Sequence, residues 1–537
     1  MMTEILDSTL RDGMQGEGVN FSKADKFKIF TALDNFGVDY IEAGNPFASH
    51  KDLEFFKEIA GRKHGNKAVA FGSTVRKGMT AEEDECIAAL LKAETKCVTV
   101  FGKAWDLHVD CILGVSLEEN LRMIESTVAY LKSKGRKVIF DAEHFFDGYK
   151  ANEKYALEVI KTAEKAGADT ICLCDTNGGT FPDEITVAVK AARKLLSVRI
   201  GIHCHNDNGC AVACTMAAHK AGATHIQGTF VGIGERCGNT NLSTVIGNLQ
   251  LKKKKKIVST AQMQTLTDTA RYIAEVANIK LAATTPYVGS GAFSHKGGMH
   301  ADGVEKNSVT FEHVSPDVVG NERKYLLSEV SGRAAVLSAI RRFDSSLDKN
   351  SPETLSITQK VKELEEKGFQ FEAAAASFDM LVMKELGQFN PHFHIDYFKI
   401  ISARDKNGKT EKATALVKIK VGENYEITAD EGYGPVNAID NALRKALVVF
   451  YPEVENMRMS DYKVRVIGAG ISTAAVTRVL IECTDGDDVW TTVGASKDII
   501  SASVTAFIDC LEYLLHKNEE KKEAQKQINF KKRFAVL

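Results

Sequence analysis

Through the first 250 residues, short apolar runs alternate with longer stretches of helical periodicity. ILDSTL (5–10), VDYIEAG (38–44), KAVAFGS (67–73), KCVTVFG (96–102), KVIFDAE (137–143), ADTICLCD (168–175), VRIGIHCH (198–205) and ATHIQGTF (223–230) predict strands. Helical patterns follow them near 22–37, 50–61, 80–94, 117–134, 152–166, 182–196, 208–221 and 240–251. The first helix is punctuated at both ends, by Ser22 as N-cap, Asp25 in the first turn and Gly37 as a stop. Eight β–α units in this span have the size of a TIM barrel, whereas a doubly wound sheet usually stops at five or six strands.

The placement of polar residues decides between the two. Asp12, Glu42, Glu143, Asp175, His203, His205 and Thr229 all lie at or just beyond the C-terminal ends of predicted strands. A barrel gathers those ends into one mouth, where active sites are built. Any one of these residues alone reads equally well as a helix cap or a satisfied polar group. Seven in register on six strands are hard to explain as capping alone.

The pattern changes after residue 251. Five consecutive lysines (252–256) read as a solvated helix end, where cations suit the dipole. A helix is predicted near 261–279, followed by TTPYVGSGAFSHKGGMHADGV (284–304), whose two histidines and aspartate mark an irregular loop rather than a linker. Residues 305–370 read as mostly helical. The tail carries an internal repeat: VNAIDNALRKAL begins at Val436 and ISASVTAFIDCL at Ile500, 64 residues later, each after a strand and a Gly-containing turn. The expected organisation is a barrel domain over 1–255, a helical linker subdomain contributing to the active site over 256–370, and an α/β module over 371–537. That module serves structure, dimer contact or effector binding.

Composition narrows the class. A net charge of -2 leaves no basic field to recruit nucleic acid or a membrane surface. No apolar run is expected to reach the ~20 residues of a membrane span, and no charged-then-apolar leader opens the chain. The eleven cysteines form no CxxC pair, and Cys97, Cys172 and Cys174 sit inside strands, so they read as reduced, buried thiols. A cytoplasmic enzyme is expected.

His203 and His205 are one residue apart on a strand, so period two puts both rings on one face and Cys204 on the other. Imidazole is the commonest side-chain metal ligand, and Asp12 after the first strand adds a carboxylate. In a barrel only the eighth strand separates the first from the seventh, so the three groups can converge. Two nitrogens plus oxygens with open positions suit a catalytic divalent ion. A pair of hydrogen-bonded core histidines is the alternative for the HxH pattern taken alone.

LDSTLRDGMQGEG (6–18), GIHCHNDNG (201–209) and GIGERCGNTNLS (232–243) together resemble the signature segments of the DRE-TIM metallolyases, in the branch of acyl-transferring synthases that includes the isopropylmalate, homocitrate and citramalate synthases. The resemblance covers the barrel and the 284–340 stretch. The tail, with TVGASKDIISASV, is similar to the regulatory domain of the isopropylmalate and citramalate synthases. It implies a divalent metal (Mn, Zn, Mg or Co) on Asp12, His203, His205 and Asn239, with Arg11 facing the substrate carbonyl. It implies Glu143 and His300 as catalytic residues, Thr229 on the substrate carboxylate, and Gln15 beside it. In the implied reaction His300, oriented by Glu143, deprotonates the acetyl-CoA methyl; the enolate adds to the keto carbon of a small 2-oxo acid, and hydrolysis of the thioester releases CoA.

The chain departs from the family at KNSVTFEHV, where many relatives carry a tyrosine near the position of Phe311; Tyr325 lies downstream. QGTFVGIGERCGNTNLS and the overall length look most like the long citramalate synthases, which implies pyruvate as the 2-oxo acid, a homodimer, and a branched-chain amino acid, isoleucine above all, as feedback inhibitor in isoleucine synthesis. The competing readings are an isopropylmalate or homocitrate synthase, a hydroxymethylglutaryl-CoA lyase-like cleavage enzyme, a CoA-independent pyruvate aldolase, and a non-catalytic amino-acid sensor. Cys237 reads as a bystander thiol, and Trp105 and Trp490 as packing residues.

Overall fold

The computed structural model describes residues 2–62, 64–296, 298–325, 333–404, 411–467, 475–486 and 488–534. The chain forms two compact units, residues 1–293 with 312–323, and residues 294–311 with 324–537.

In the first unit eight parallel strands close into a barrel: β1 (Glu4–Asp7), β2 (Tyr40–Gly44), β3 (Ala68–Ser73), β4 (Cys97–Lys103), β5 (Lys137–Glu143), β6 (Thr170–Asp175), β7 (Arg199–Cys204) and β8 (His225–Gly228). β8 pairs back onto β1 with Glu4 opposite His225 and Asp7 opposite Gly228. Six lie within the predicted runs, and β1 and β4 exceed theirs by one residue each, at Glu4 and Lys103. Period two sorts each strand into two layers. On β7, Ile200, Ile202 and Cys204 pack outward under the helices, while Gly201 and His203 face inward. Leu6, Val69, Ile139 and Cys172 fill the barrel interior, so the strand thiols are core atoms, as the sequence implied.

The connecting helices obey their local signals. The helix Lys23–Phe36 starts with a capping box between Ser22 and Asp25 and ends at Gly37, whose φ of 102° only glycine adopts without strain. Between β5 and the helix Glu153–Lys165 a further short helix, Phe145–Ala151, was not anticipated. The five-lysine run is exposed, as expected of a solvated helix end.

The second unit repeats one motif. Antiparallel strands His394–Arg404, Glu411–Val421 and Asn424–Gly432 lead into the helix Pro435–Val448; strands Arg458–Ile467, Val476–Thr484 and Val489–Ser496 lead into the helix Ile499–Phe534. The repeat read in the sequence is thus a β-β-β-α motif used twice. Val417, Ile419, Leu443, Ile481, Phe507 and Leu511 share its core. One expectation needs correcting: Ile499–Lys522 is long and apolar enough by length and composition to cross a membrane. Its Ala-, Val- and Leu-rich face is explained by packing, since more than half of the apolar window is buried inside the protein.

Candidate active site and metal centre

β1 delivers its polar cluster through a tight turn in which the Asp12 and Gly13 amides donate to the Ser8 carbonyl. Asp12 is thereby aimed at the strand-end histidines. Its Oδ2 lies 3.5 Å from His203 Nε2 and 3.9 Å from His205 Nε2, and the two Nε2 atoms are 3.4 Å apart. Asn239 is brought in by an antiparallel bridge between its backbone and that of His205; its Nδ2 donates to Asp12 Oδ1 at 2.8 Å. Asn239 Oδ1 is buried with no hydrogen-bond partner among the described residues. Two imidazole nitrogens and a carboxylate converge, with the unpartnered Asn239 amide oxygen on the residue beside them, a donor set a divalent cation takes.

Behind the histidines runs a chain that sequence reasoning missed. His203 Nδ1 donates to Gln227 Oε1 at 3.1 Å, and Gln227 Nε2 donates to Asp141 Oδ1 at 3.0 Å. This fixes the His203 tautomer with the Nε2 lone pair toward Asp12. Gln227 (β8) and Asp141 (β5) both face inward; the signal available was the polar residue in an otherwise apolar strand.

Arg11 is clamped. Nε donates to Glu42 Oε2 at 2.6 Å, Nη1 to Asp12 Oδ2 at 2.9 Å, and the guanidinium lies 3.9 Å over the Phe71 ring. Ser8 Oγ also donates to Glu42, at 2.7 Å. Burial opposes both charges, but Arg11 foremost, then His203 and His205, hold the Asp12 carboxyl far below its usual range. Glu42 and Asp12 keep Arg11 charged against the same burial. His205 is pushed down to about 4, by burial first and by His203 next, and burial lowers His203 as well, so burial favours the neutral form of both rings.

Arg11, Asp12, Gln15, Glu143, His203 and His205 line one cavity of about 320 Å³, with Phe71 and Phe101 as apolar wall. Glu143 is ion-paired to Lys103. Thr229 is not among the lining residues: fully buried, its hydroxyl donates to the Ile233 carbonyl at 2.6 Å and closes the loop after β8. Asp175 likewise serves its own turn, accepting from the Thr180 hydroxyl at 2.8 Å. Both side chains are thus hydrogen-bonded within the loops that follow their own strands. His300 belongs to the second unit, where its ring stacks on Phe311 at 4.0 Å. Tyr325 packs near His295, with ring centroids 6.3 Å apart.

Residues 2–273 match the HMGL-like family, residues 287–368 the homocitrate synthase post-HMGL domain-like family, and residues 372–515 the LeuA allosteric (dimerisation) domain. The chain is 46% identical over 518 residues to a protein of Aquifex aeolicus named (R)-citramalate synthase, covering 96% of this chain and 98% of that one. A protein of the same name from Geobacter sulfurreducens is 44% identical over 520 residues, covering 97% and 98%. A probable 2-isopropylmalate synthase of Methanopyrus kandleri is 33% identical over 508 residues, covering 94% and 96%.

Proposed function

Because this chain belongs to the HMGL-like family, we propose that it is an acyltransferase that condenses the acetyl group of acetyl-CoA with pyruvate, hydrolyses the thioester, and releases (R)-citramalate and CoA. The observation that carries this reading is the convergence of Asp12, His203, His205 and the orphaned Asn239 oxygen beside a clamped Arg11. The choice of pyruvate rests on the relatives named (R)-citramalate synthase.

Asp12, His203, His205 and Asn239 would hold a divalent cation, which supplies Lewis-acid polarisation of a keto group. Arg11, held in one orientation by Glu42 and Asp12, stabilises the negative charge that develops on the enolate and then on the new alkoxide. His300 takes the proton from the acetyl methyl, and Glu143, paired to Lys103, supports that transfer. Phe71 and Phe101 exclude water on one side of the cavity. Gln15 contacts the 2-oxo acid. Thr229 reaches the substrate carboxylate only if its hydroxyl leaves the Ile233 carbonyl.

The second unit supports a homodimer. The outer face of the first sheet carries Tyr397, Ile401, Tyr425 and Ile427, each about half exposed, and the tail matches a dimerisation domain. The same domain would bind a branched-chain amino acid as inhibitor; an intact enzyme indifferent to all of them would remove that part of the reading. We place the enzyme in the cytoplasm and keep the division 1–255, 256–370 and 371–537 as its functional organisation.

The test is free-thiol release from acetyl-CoA, with and without chelator, for pyruvate, 2-oxoisovalerate, 2-oxoglutarate and glyoxylate in parallel. Chelator-sensitive release with pyruvate far above the others is expected. Preference for 2-oxoisovalerate or 2-oxoglutarate would make the enzyme an isopropylmalate or homocitrate synthase instead, and no release with any acid would overturn the synthase reading.

A further inference from the structure

A second cluster of ligand-type side chains lies in the second unit, remote in sequence from the barrel histidines. Glu512, His516 and Glu519 fall at i, i+4 and i+7 on the helix Ile499–Phe534, and so share one face. His392 enters that face just ahead of the strand His394–Arg404. One donor atom from each of His392, Glu512 and His516 lies within 4.8 Å of the other two.

The hydrogen bonds divide the roles. The buried Glu512 carboxylate accepts from His392 Nδ1 at 2.8 Å, from the His392 amide at 3.1 Å and from the Phe393 amide at 3.4 Å. It thereby holds the His392 ring by Nδ1 and leaves Nε2 as the free edge of that ring; burial works against a charge on His392, while Glu512 and then Glu519 raise its pKa above the ordinary value. The Tyr451 hydroxyl donates to the His392 carbonyl at 3.0 Å and pins the backbone from the other side. His392 Nε2 and His516 Nε2 are both buried with no hydrogen-bond partner among the described residues. The His392 side chain is only 6% exposed, and its Nε2 lies 3.3 Å from Glu519 Oε2. The two imidazole rings meet edge to face, with centroids 4.6 Å apart.

A protonated His392 paired with Glu519 would account for one of these nitrogens and leave the other stranded. A shared cation accounts for both. A histidine whose far nitrogen is held by a buried carboxylate is also the arrangement that orients imidazole on a metal. We propose that His392 Nε2, His516 Nε2 and Glu519 bind a divalent cation of the zinc class, with Glu512 as the positioning residue behind His392. Zinc–ligand bonds of about 2.0–2.2 Å require the donors to close on the ion, and Glu519, on an exposed surface, has the freedom to swing in. Such an ion would tie the last helix to the start of the first strand of the repeat, so that the two halves of the module are cross-linked by metal as well as by their core.

The experiment counts metal in the full chain by mass spectrometry after zinc loading and passage over chelating resin. The wild-type enzyme should retain two zinc ions per chain and the Asp12→Ala/His203→Ala double variant one; adding His516→Gln should bring the count to zero. His516→Gln alone should hold one ion fewer than wild type with an unchanged far-ultraviolet circular dichroism spectrum. A second reading that needs no barrel substitution is cobalt titration of His516→Gln against wild type: wild type should take up two cobalt ions and His516→Gln one, with a correspondingly smaller visible band, and Glu519→Gln should weaken binding of the second ion by at least ~10-fold. Equal zinc in wild type and His516→Gln, or a cobalt band unaffected by either substitution, overturns the proposal and leaves an ion pair between His392 and Glu519.

Discussion

Gly234→Ala adds one carbon at the most crowded point of the barrel site. A Cβ built on Gly234 falls 2.2 Å from Asn239 Nδ2 and 3.2 Å from its Cγ. Ordinary contact begins near ~3.5 Å, so the amide must retreat by roughly 1 Å. Its hydrogen bond to Asp12 Oδ1, now 2.8 Å, would then be lost or nearly so, and Oδ1 would leave the position that makes it a ligand. Misplacing one ligand of a metal site costs on the order of 10–100-fold in affinity, or about 1.4–2.8 kcal/mol. The backbone at Gly234, with φ at 159°, adds strain of its own, so the readout is metal affinity rather than stability. Chelator competition, read as loss of CoA release, should show that the variant surrenders its metal at a 10–100-fold lower chelator excess and recovers much of its activity at saturating metal. Asn239→Ala should have a similar effect, and in the double variant the two should not add, because the new methyl then has nothing to displace. Unchanged metal affinity in Gly234→Ala, or full additivity in the double variant, would refute Asn239 as a ligand.

Gln227→Leu keeps the volume but cuts the chain from His203 to Asp141, and should weaken metal binding about 10–100-fold and cost about 1–3 kcal/mol in denaturant-induced unfolding of the apoenzyme; an unaltered metal affinity would dismiss the chain as packing. Arg11→Lys retains a charge but replaces the planar fork that reaches Glu42 and Asp12 from separate nitrogens and stacks on Phe71, so kcat/KM for CoA release should fall about 10²–10³-fold with metal content near normal. The metal-free enzyme should also lose stability in mild acid. His205 binds its proton near pH 4 when folded against 6.5 when unfolded, so the unfolded chain takes the proton first. This contribution is complete above pH 6.5 and fades as the pH falls toward about 4, by up to about 3 kcal/mol, and His205→Asn should flatten that part of a thermal-melt pH profile.

The barrel was legible because it is local. Each strand is a short, mainly apolar run and most of the helices carry a capping side chain, so periodicity alone placed all eight β–α units, and the shared direction of strand ends placed the mouth. The HxH pair was legible for the same reason, being set by period two on one strand. The short helix Phe145–Ala151 escaped because a seven-residue turn has too few apolar repeats to read. Where Thr229 and Asp175 bond could not be read from position: a hydroxyl or carboxylate at a strand end can close its own turn or stay open for a substrate, and its place along the strand does not distinguish the two.

The support behind the site is of another kind. Asn239 reaches Asp12 across 227 positions, Gln227 reaches Asp141 across 86, and His392 meets Glu512 across 120. None of these pairs has a periodic signature, because the barrel's closure and the repeat's folding, not local spacing, bring them together. Yet each was bounded by an argument available from residue type. A glutamine buried on the inner face of a barrel must find a hydrogen-bond partner or cost about 1–3 kcal/mol, and that face offers few candidates besides other strand residues. The same reasoning applied to a buried histidine asks what satisfies its second nitrogen. At His203 the answer is Gln227 on one side and the metal-type cluster on the other. At His392 the first nitrogen is satisfied by Glu512, and the second has no hydrogen bond among the described residues, with the Glu519 carboxylate 3.3 Å away. Two imidazoles in unrelated parts of the chain therefore share one arrangement, one nitrogen fixed by an acceptor and a second histidine ring packed beside it, and the physical case for a bound cation is of one kind at both.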